Sequence, residues 1–271
     1  MSGTAIWAVG SSCWSVRLEA GRVDWNRVFL AGAPIDCLDL EGVIELIDES
    51  IASRTPLRHV AINAAKVVRM QRDPELRGAV QESRLATADG QAVAWAARVL
   101  GFGAVERITG IDLMHSLAAH AEKKGYRIYL FGGRESVLEQ VVGRLRAEFP
   151  GLVIAGFQHG YYDRATEAEV VERIAGSGAD ILFVALSTPE KELFLARNHE
   201  YLQVPFRMGV GGAFDVFAGL ACRAPMWLQK VGLEWFFRLM QEPRRLWHRY
   251  LVGNTVFIGL VCRELLRRSW R

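Results

Sequence analysis

Leu85-Ala86-Thr87-Ala88-Asp89-Gly90-Gln91 joins an apolar, β-compatible run to a helical pattern, Ala92 to Leu100, with only Asp-Gly between them. The spacing predicts a strand end, a tight turn and a helix start. In open α/β sheets, ligands bind outside the carboxyl ends of the strands. Asp89 therefore stands where such a fold does its chemistry. Gly90 lets the backbone turn sharply and lets a ligand come close. A carboxylate at this place can take a proton from a bound hydroxyl. It can also cap the helix that follows, and the two roles are compatible.

Outward from this turn the same grammar repeats. Arg27 to Ile35 reads as a first strand or hairpin, and Asp39 as the cap of a helix from Leu40 to about Ser53. His59 to Ile62 is a short buried strand ending at Asn63. Helices follow over Ala64 to about Gln71 and, opened by Asp73-Pro74, to about Glu82. Thr109-Gly110-Ile111-Asp112 leads a helix that stops at Lys123-Lys124-Gly125. Arg127–Phe131, Leu152–Gly156, Asp180–Leu186 and Phe206–Val210 read as strands. Helices are expected from Glu135 to Phe149, Glu167 to Ala175 and Ser187 to about Tyr201. Strands alternate with helices, and most strands are continuous apolar runs. This predicts an α/β fold, Rossmann-like, with a mostly parallel sheet covered by helices on both faces. Residues 1–26 show little periodicity and read as a loosely structured, variable lead-in.

Phe131-Gly132-Gly133 and Val210-Gly211-Gly212 share one plan of strand, glycine pair and helix. Glycines permit close backbone approach, and a helix N-terminus offers free N–H groups to phosphate. A nucleoside diphosphate fits such turns, and so does simple packing. Neither turn matches GxGxxG or the P-loop pattern. No DxD or HExxH spacing is present, so no metal site is expected. His159 lies just past a strand end and is the only histidine placed as a site candidate; the other five stand apart in sequence.

At 271 residues, with 51% hydrophobic and 23% charged residues, the chain can bury a full core and is neither disordered nor a set of membrane spans. Cys13, Cys37, Cys222 and Cys262 are scattered without a CxxC pair, which excludes the usual zinc and disulfide frameworks. The N-terminus lacks the pattern of a signal peptide, and reduced cytosolic thiols are expected. The net charge of +3 is unevenly placed: residues 223–271 carry ten Arg or Lys against three acids, a net of +7, leaving −4 for the rest. Trp227, Trp235, Phe236, Phe237 and Trp247 alternate with Lys230, Arg238, Arg244, Arg245 and Arg249. Two helices with a break at Pro243 fit this spacing, followed by a last amphipathic segment, Thr255 to Trp270. Aromatic and aliphatic residues beside arginine make the composition of a helix lying in a membrane interface. They also fit a helical pair with aromatics in the core and a solvated basic face. The mixing with apolar residues argues against a nucleic-acid partner. The apolar run Leu251–Cys262 is too short to span a bilayer and is interrupted by Gly253-Asn254.

Taken in order, Ile62-Asn63-Ala64, Thr87-Ala88-Asp89-Gly90, Glu106-Arg107-Ile108-Thr109-Gly110-Ile111-Asp112-Leu113, Tyr129-Leu130-Phe131-Gly132-Gly133, Gly160-Tyr161-Tyr162 and Gly209-Val210-Gly211-Gly212-Ala213-Phe214-Asp215 resemble the motifs of the WecG/TagA/CpsF glycosyltransferases, glycosyltransferase family 26. Arg223-Ala224-Pro225, Gly232-Leu233-Glu234-Trp235, Gln241-Glu242-Pro243-Arg244-Arg245-Leu246 and Arg249-Tyr250-Leu251 extend the resemblance to the C-terminus. It begins at about residue 28.

The resemblance implies an inverting, metal-independent transfer without cofactor. The sugar passes from a UDP-sugar to a polyprenyl-diphosphate-linked sugar on the cytoplasmic face of the bacterial inner membrane, in cell-surface polysaccharide synthesis. It implies a catalytic core, 27–221, and a C-terminal helical appendage, 222–271, that associates peripherally with the anionic membrane surface and completes the site. Asp89 is the implied general base. Asn63, Thr87, Gly90, Gly132, Gly133, Lys191, Gly211, Gly212, Phe214 and Asp215 are the implied substrate contacts, with Arg238, Arg244, Arg245 and Arg249 supplying positive charge to the leaving diphosphate. Two positions depart from the family pattern: Ala61 stands where Thr is frequent, and Lys191 where Gln is common. An N-acetylmannosaminyl donor is the family expectation; a glucosyltransferase of exopolysaccharide assembly and a non-catalytic membrane-docking scaffold are the alternatives. Homo-oligomerisation is left open.

Overall fold

The computed structural model describes residues 13–17, 24–103, 105–230, 232–241 and 243–269. Three strands open the chain: β1 (Cys13–Arg17), β2 (Asp24–Leu30) and β3 (Ala33–Cys37), paired antiparallel in that order. The lead-in thus contributes a strand, with Trp14 opposite Arg27 and Val16 opposite Trp25. Its alternation is too short to stand out in the sequence; pairing with β2 is what orders it. Residues 1–12 and 18–23 of the lead-in lie outside the described residues.

The other six strands form a single parallel sheet in the order β5-β4-β9-β8-β6-β7: β4 (Leu57–Ile62), β5 (Leu85–Ala88), β6 (Arg127–Gly132), β7 (Val153–Gln158), β8 (Ile181–Ala185) and β9 (Phe206–Gly209). Crossovers supply the helices α1 (Leu40–Ser53), α2 (Ala64–Met70), α3 (Pro74–Gln81), α4 (Gln91–Val99), α5 (Gly110–Lys124), α6 (Glu135–Glu148), α7 (Glu167–Gly176), α8 (Glu190–Arg197) and α9 (Ala213–Phe217). The predicted caps act: the Asp39, Asp73 and Thr109 side chains accept the amides of Gly42, Leu76 and Asp112.

Strand periodicity divides the core. Leu57, Leu85, Ile128, Leu130, Phe183 and Met208 point to one face and pack under α1, α5, α6 and α9. The alternate residues point to the other face and form two clusters. One joins Val60, Ile62, Ala86 and Ala88 to α2, α3, α4 and the β2–β3 hairpin. The other joins Tyr129, Phe131, Leu182 and Val184 to α7 and α8. Between these two clusters β9 presents Arg207 and Gly209, and a polar seam runs there.

The small sheet covers the β5 edge. Asp36, buried, accepts the Ala86 amide at 2.7 Å and both arms of Arg27 at 2.7 and 2.8 Å. Arg27 also donates to the carbonyls of Ser83 and Arg84. An otherwise open strand edge is closed by this clasp.

The C-terminal helices are α10 (Met226–Lys230), α11 (Glu234–Gln241) and α12 (Pro243–Ser269). Pro243 opens α12, as proline does at a first helical turn, and Gly253-Asn254 sits inside it. The interruption expected there is overridden by packing: α12 lies against α2, and Phe257, Leu260, Val261 and Leu265 join the cluster on that face. No helix among the described residues is long and apolar enough to cross a membrane.

Candidate functional site

All six parallel strands end on one rim. At its centre β4 passes into α2 on one face and β9 into α9 on the other, the arrangement at which open α/β sheets bind ligands beyond the carboxyl ends of their strands. Asn63 ends β4, and its Oδ1 caps α2 by accepting the Lys66 amide at 3.0 Å. Asp89 ends the neighbouring β5, and its amide donates to the Ile62 carbonyl at 2.8 Å. Gly90 lies against Asn63: a Cβ built on it would sit 3.6 Å from the Asn63 Cβ. The structure therefore brings Asn63, Asp89 and Gly90 together.

Asp89 is not the N-cap residue of the helix that follows it. Gly90 is the N-cap of α4 and makes no side-chain cap bond. The Asp89 carboxylate instead accepts the Gly110 amide at 3.1 Å, at the start of α5. The 107–108 segment makes this reach available, because Arg107 bridges to Ala88 and the Ile108 amide donates to the Ala88 carbonyl. A carboxylate facing a helix N-terminus is held by its dipole as well as by the hydrogen bond.

Behind the rim, three charged side chains meet in the seam. Glu192 sits 2.7 Å from the Lys66 ammonium and 2.8 Å from that of Lys191. All three are buried, at 6, 4 and 7% exposure. Lys66 also donates to the Ala61 carbonyl at 2.6 Å, and Lys191 to the Thr188 hydroxyl. Burial alone would raise the Glu192 carboxyl; the two ammonium groups outweigh it and hold the carboxyl below its ordinary value. Burial pushes Lys191 down to about 8, with Lys66 adding to the fall and Glu192 and Asp89 opposing it. Arg58, His59, Ser83 and Gly209 line a small cavity beside the triad. His59 is brought down to about 3 by burial first and Lys66 second, so it is neutral.

The C-terminal segment is tied to this rim by ion pairs. Arg223 clamps Asp112 with both arms, at 2.6 and 2.7 Å. Burial alone would raise the Asp112 carboxyl, but Arg223 and Thr109 hold it below its ordinary value. Arg107 reaches Glu234 at 3.2 Å. Gly232 takes a left-handed φ of +76°, and a Cβ there would meet Gln91 Cγ at 2.5 Å, so this turn lies directly on the start of α4. Asp89 acts electrostatically on both Arg223 and Lys191.

Other expected contacts stand elsewhere. Thr87 is buried, its hydroxyl 2.9 Å from His59 Nε2, and it faces the interior. Gly132 packs against neighbouring backbone and Gly133 against the Phe214 ring: a Cβ on Gly132 would lie 2.5 Å from the Ala185 carbonyl oxygen. The amides expected to cradle phosphate are engaged within the fold, since Gly133 donates to Ala185 and Gly211 to Val184. Phe214 is buried against Gly133, and Asp215 is exposed in the first turn of α9 beside Gly212. His159 Nδ1 accepts the Tyr161 amide two residues on. Arg238, Arg244, Arg245 and Arg249 belong to α11 and α12, and their side chains lie outside the described residues. Among the described residues no three His, Cys, Asp or Glu side chains converge as a metal ion would require.

Sequence reasoning missed Lys66, Glu192, Arg107, Asp112, Arg223 and Glu234 as a connected set. A signal for two of them exists. Lys66 lies four residues before Met70 and Glu192 three before Leu195, each charge on the buried face of its helix. Opposite charges at core positions of two helices call for pairing. The two links to the C-terminal segment join residues more than a hundred positions apart, and nothing local announces them. The sequence model of the Glycosyl transferase WecG/TagA/CpsF family matches residues 28–271, the span that holds the Asp89 turn, the buried triad and the C-terminal helices, and the chain belongs to that family.

Proposed function

We propose that this glycosyltransferase moves a sugar from a UDP-sugar to a polyprenyl-diphosphate-linked sugar, inverting the anomeric centre, at the cytoplasmic face of a bacterial membrane. The observation that carries the reading is the placing of Asp89. Its carboxylate sits at the sheet's ligand-facing rim beside Asn63, held by the Gly110 amide, with the C-terminal segment tied across through Arg223 and Glu234. In this reading Asp89 takes the proton of the acceptor hydroxyl while that oxygen attacks the anomeric carbon. The bond to the diphosphate oxygen breaks, and UDP leaves with the electron pair. Such a base is worth roughly 10²–10⁴-fold in rate.

No metal ion enters this mechanism. The leaving diphosphate is met by cationic side chains of the C-terminal helices, with Arg238, Arg244, Arg245 and Arg249 as the assigned donors. Met226, Trp227, Leu233, Trp235, Phe236 and Met240 are all exposed, and Trp235, Phe236 and Met240 share α11 with Arg238. That combination supports docking on an anionic lipid surface, where aromatics enter the interface and arginines meet headgroups. Cell-surface polysaccharide synthesis is the setting such an acceptor implies.

The test is a panel of UDP-sugars, including UDP-N-acetylmannosamine and UDP-glucose, offered with one defined polyprenyl-diphosphate-linked sugar on anionic vesicles. UDP release with one donor, and product of opposite anomeric configuration, is the expected result. A glucosyl product selects the exopolysaccharide branch. No release with any donor, from protein that still binds the vesicles, selects a docking scaffold.

A further inference from the structure

We infer that Lys191 is a positioning residue for Asp89: Glu192 and Lys66 fix its ammonium in the seam as a counter-charge, beside that of Arg223, to the carboxylate at the rim. The inference rests on Asp89 being the base. Lys191 leaves the first turn of α8, and its aliphatic chain lies along the end of β9. A Cβ on Gly209 would meet its Cδ at 2.9 Å and its Cγ at 3.3 Å; one on Gly211 would lie 3.8 Å from its Cε. A strand end without side chains is what lets this long residue pass beneath the rim. The far end is then stapled. Glu192 and Thr188 hold the ammonium, Glu192 is itself held by Lys66, and Lys66 is anchored on the Ala61 carbonyl. Ala61 is followed by Ile62, whose carbonyl accepts the Asp89 amide.

The charges in the seam leave this role open for Lys191. Two ammonium groups share one carboxylate, which leaves one positive charge over. The groups facing Lys191 are Lys66 from α2, Glu192 from its own helix, Arg58 and His59 from β4, and Asp89 from the end of β5. His59 is neutral, and Arg58 is paired with Glu82 at 3.5 Å. Asp89 is the second carboxylate acting on Lys191. A buried ammonium exerts its field on a neighbour with little screening. Asp89 also acts on Arg223, which stays charged; because Lys191 loses its proton at about 8, only its own share of the counter-charge disappears on the alkaline side.

The experiment is the pH profile of kcat/KM for the full-length chain and for Lys191→Met, Lys191→Arg and Asp89→Asn, with one donor and one lipid acceptor. The wild type is expected to lose rate above pH about 8. In Lys191→Met that limb vanishes and the acid limb moves up by about one pH unit. Lys191→Arg keeps the wild-type acid limb, and its alkaline limb moves beyond pH ~10, because a guanidinium stays charged there. Should Lys191→Met fail to fold, Lys191→Gln and the Asp89 carboxyl titration, read by carbon-13 NMR, supply the same comparison. An unmoved acid limb in Lys191→Met, with Asp89→Asn inactive, overturns the role of Lys191 and leaves the base standing. Near-normal turnover by Asp89→Asn overturns both.

Discussion

Arg223 holds Asp112 through two hydrogen-bonded contacts, 2.6 and 2.7 Å long, and so fastens the start of the C-terminal segment to the first turn of α5. The same turn gives its Gly110 amide to Asp89. Both ends of this clamp are partly exposed, at 24 and 40% of their side chains. Its contribution to global stability is therefore small, about 0.2–1 kcal/mol. The clamp ties the chain just ahead of α10 to the turn that also holds Asp89. Arg223→Ala is expected to unfold at nearly the wild-type denaturant midpoint while amide exchange over α10 and α11 quickens and kcat/KM for the acceptor falls about ten-fold or more. Exchange measured by mass spectrometry, beside the rate, checks both halves.

The Lys66–Glu192–Lys191 triad behaves differently, because its members are buried. Removing the central carboxylate leaves two buried ammonium groups facing each other without the anion they share. Glu192→Ala is expected to cost about 3–5 kcal/mol of folding stability, the usual range for breaking a buried ion pair on one side. Chemical denaturation of the variant beside the wild type measures it. A loss below about 1 kcal/mol would mean that water reaches the seam and that the three groups are not a unit.

His59 gives a pH signature of stability. It is neutral in the fold, with its proton affinity brought down to about 3, while an unfolded chain restores the ordinary value of 6.5. Between these values the unfolded state binds the extra proton. Stability from this group is present above pH 6.5 and drains away as pH falls toward 3, at up to about 1.4 kcal/mol per pH unit. Denaturant midpoints from pH 7 to 4 are expected to fall in the wild type and to fall less steeply in His59→Gln.

Much of the architecture is legible before folding is considered. Asp39, Thr109 and Gly125 mark helix ends through caps and a left-handed stop, and such signals act within one turn of chain. Strands buried on both faces announce themselves as unbroken apolar runs, as at Ile181–Ala185. β1 was not legible, since its pairing with β2 is what makes it a strand. The continuity of α12 through Gly253-Asn254 was hidden for a similar reason: propensity disfavours it, and packing on α2 prevails. The strand-end positions of Asn63, Asp89 and Gly90 could be read because strand ends in such sheets share a rim. The glycine pairs fitted packing and a ligand alike. Gly132 is a glycine because β8 passes 2.5 Å from where its Cβ would be, a close approach that a ligand would have explained equally well. The triad and the two clamps depend on side chains from distant helices and leave only faint local traces.

The Asp89 carboxylate as the base for the acceptor hydroxyl is tested most directly by Asp89→Asn, which keeps shape and removes the ability to take a proton. Turnover of the variant is measured at saturating UDP-sugar and lipid-linked acceptor, with its fold checked by circular dichroism. A fall of roughly 10²–10⁴-fold in kcat with donor affinity retained is the predicted result. A kcat within about three-fold of the wild type would contradict the account.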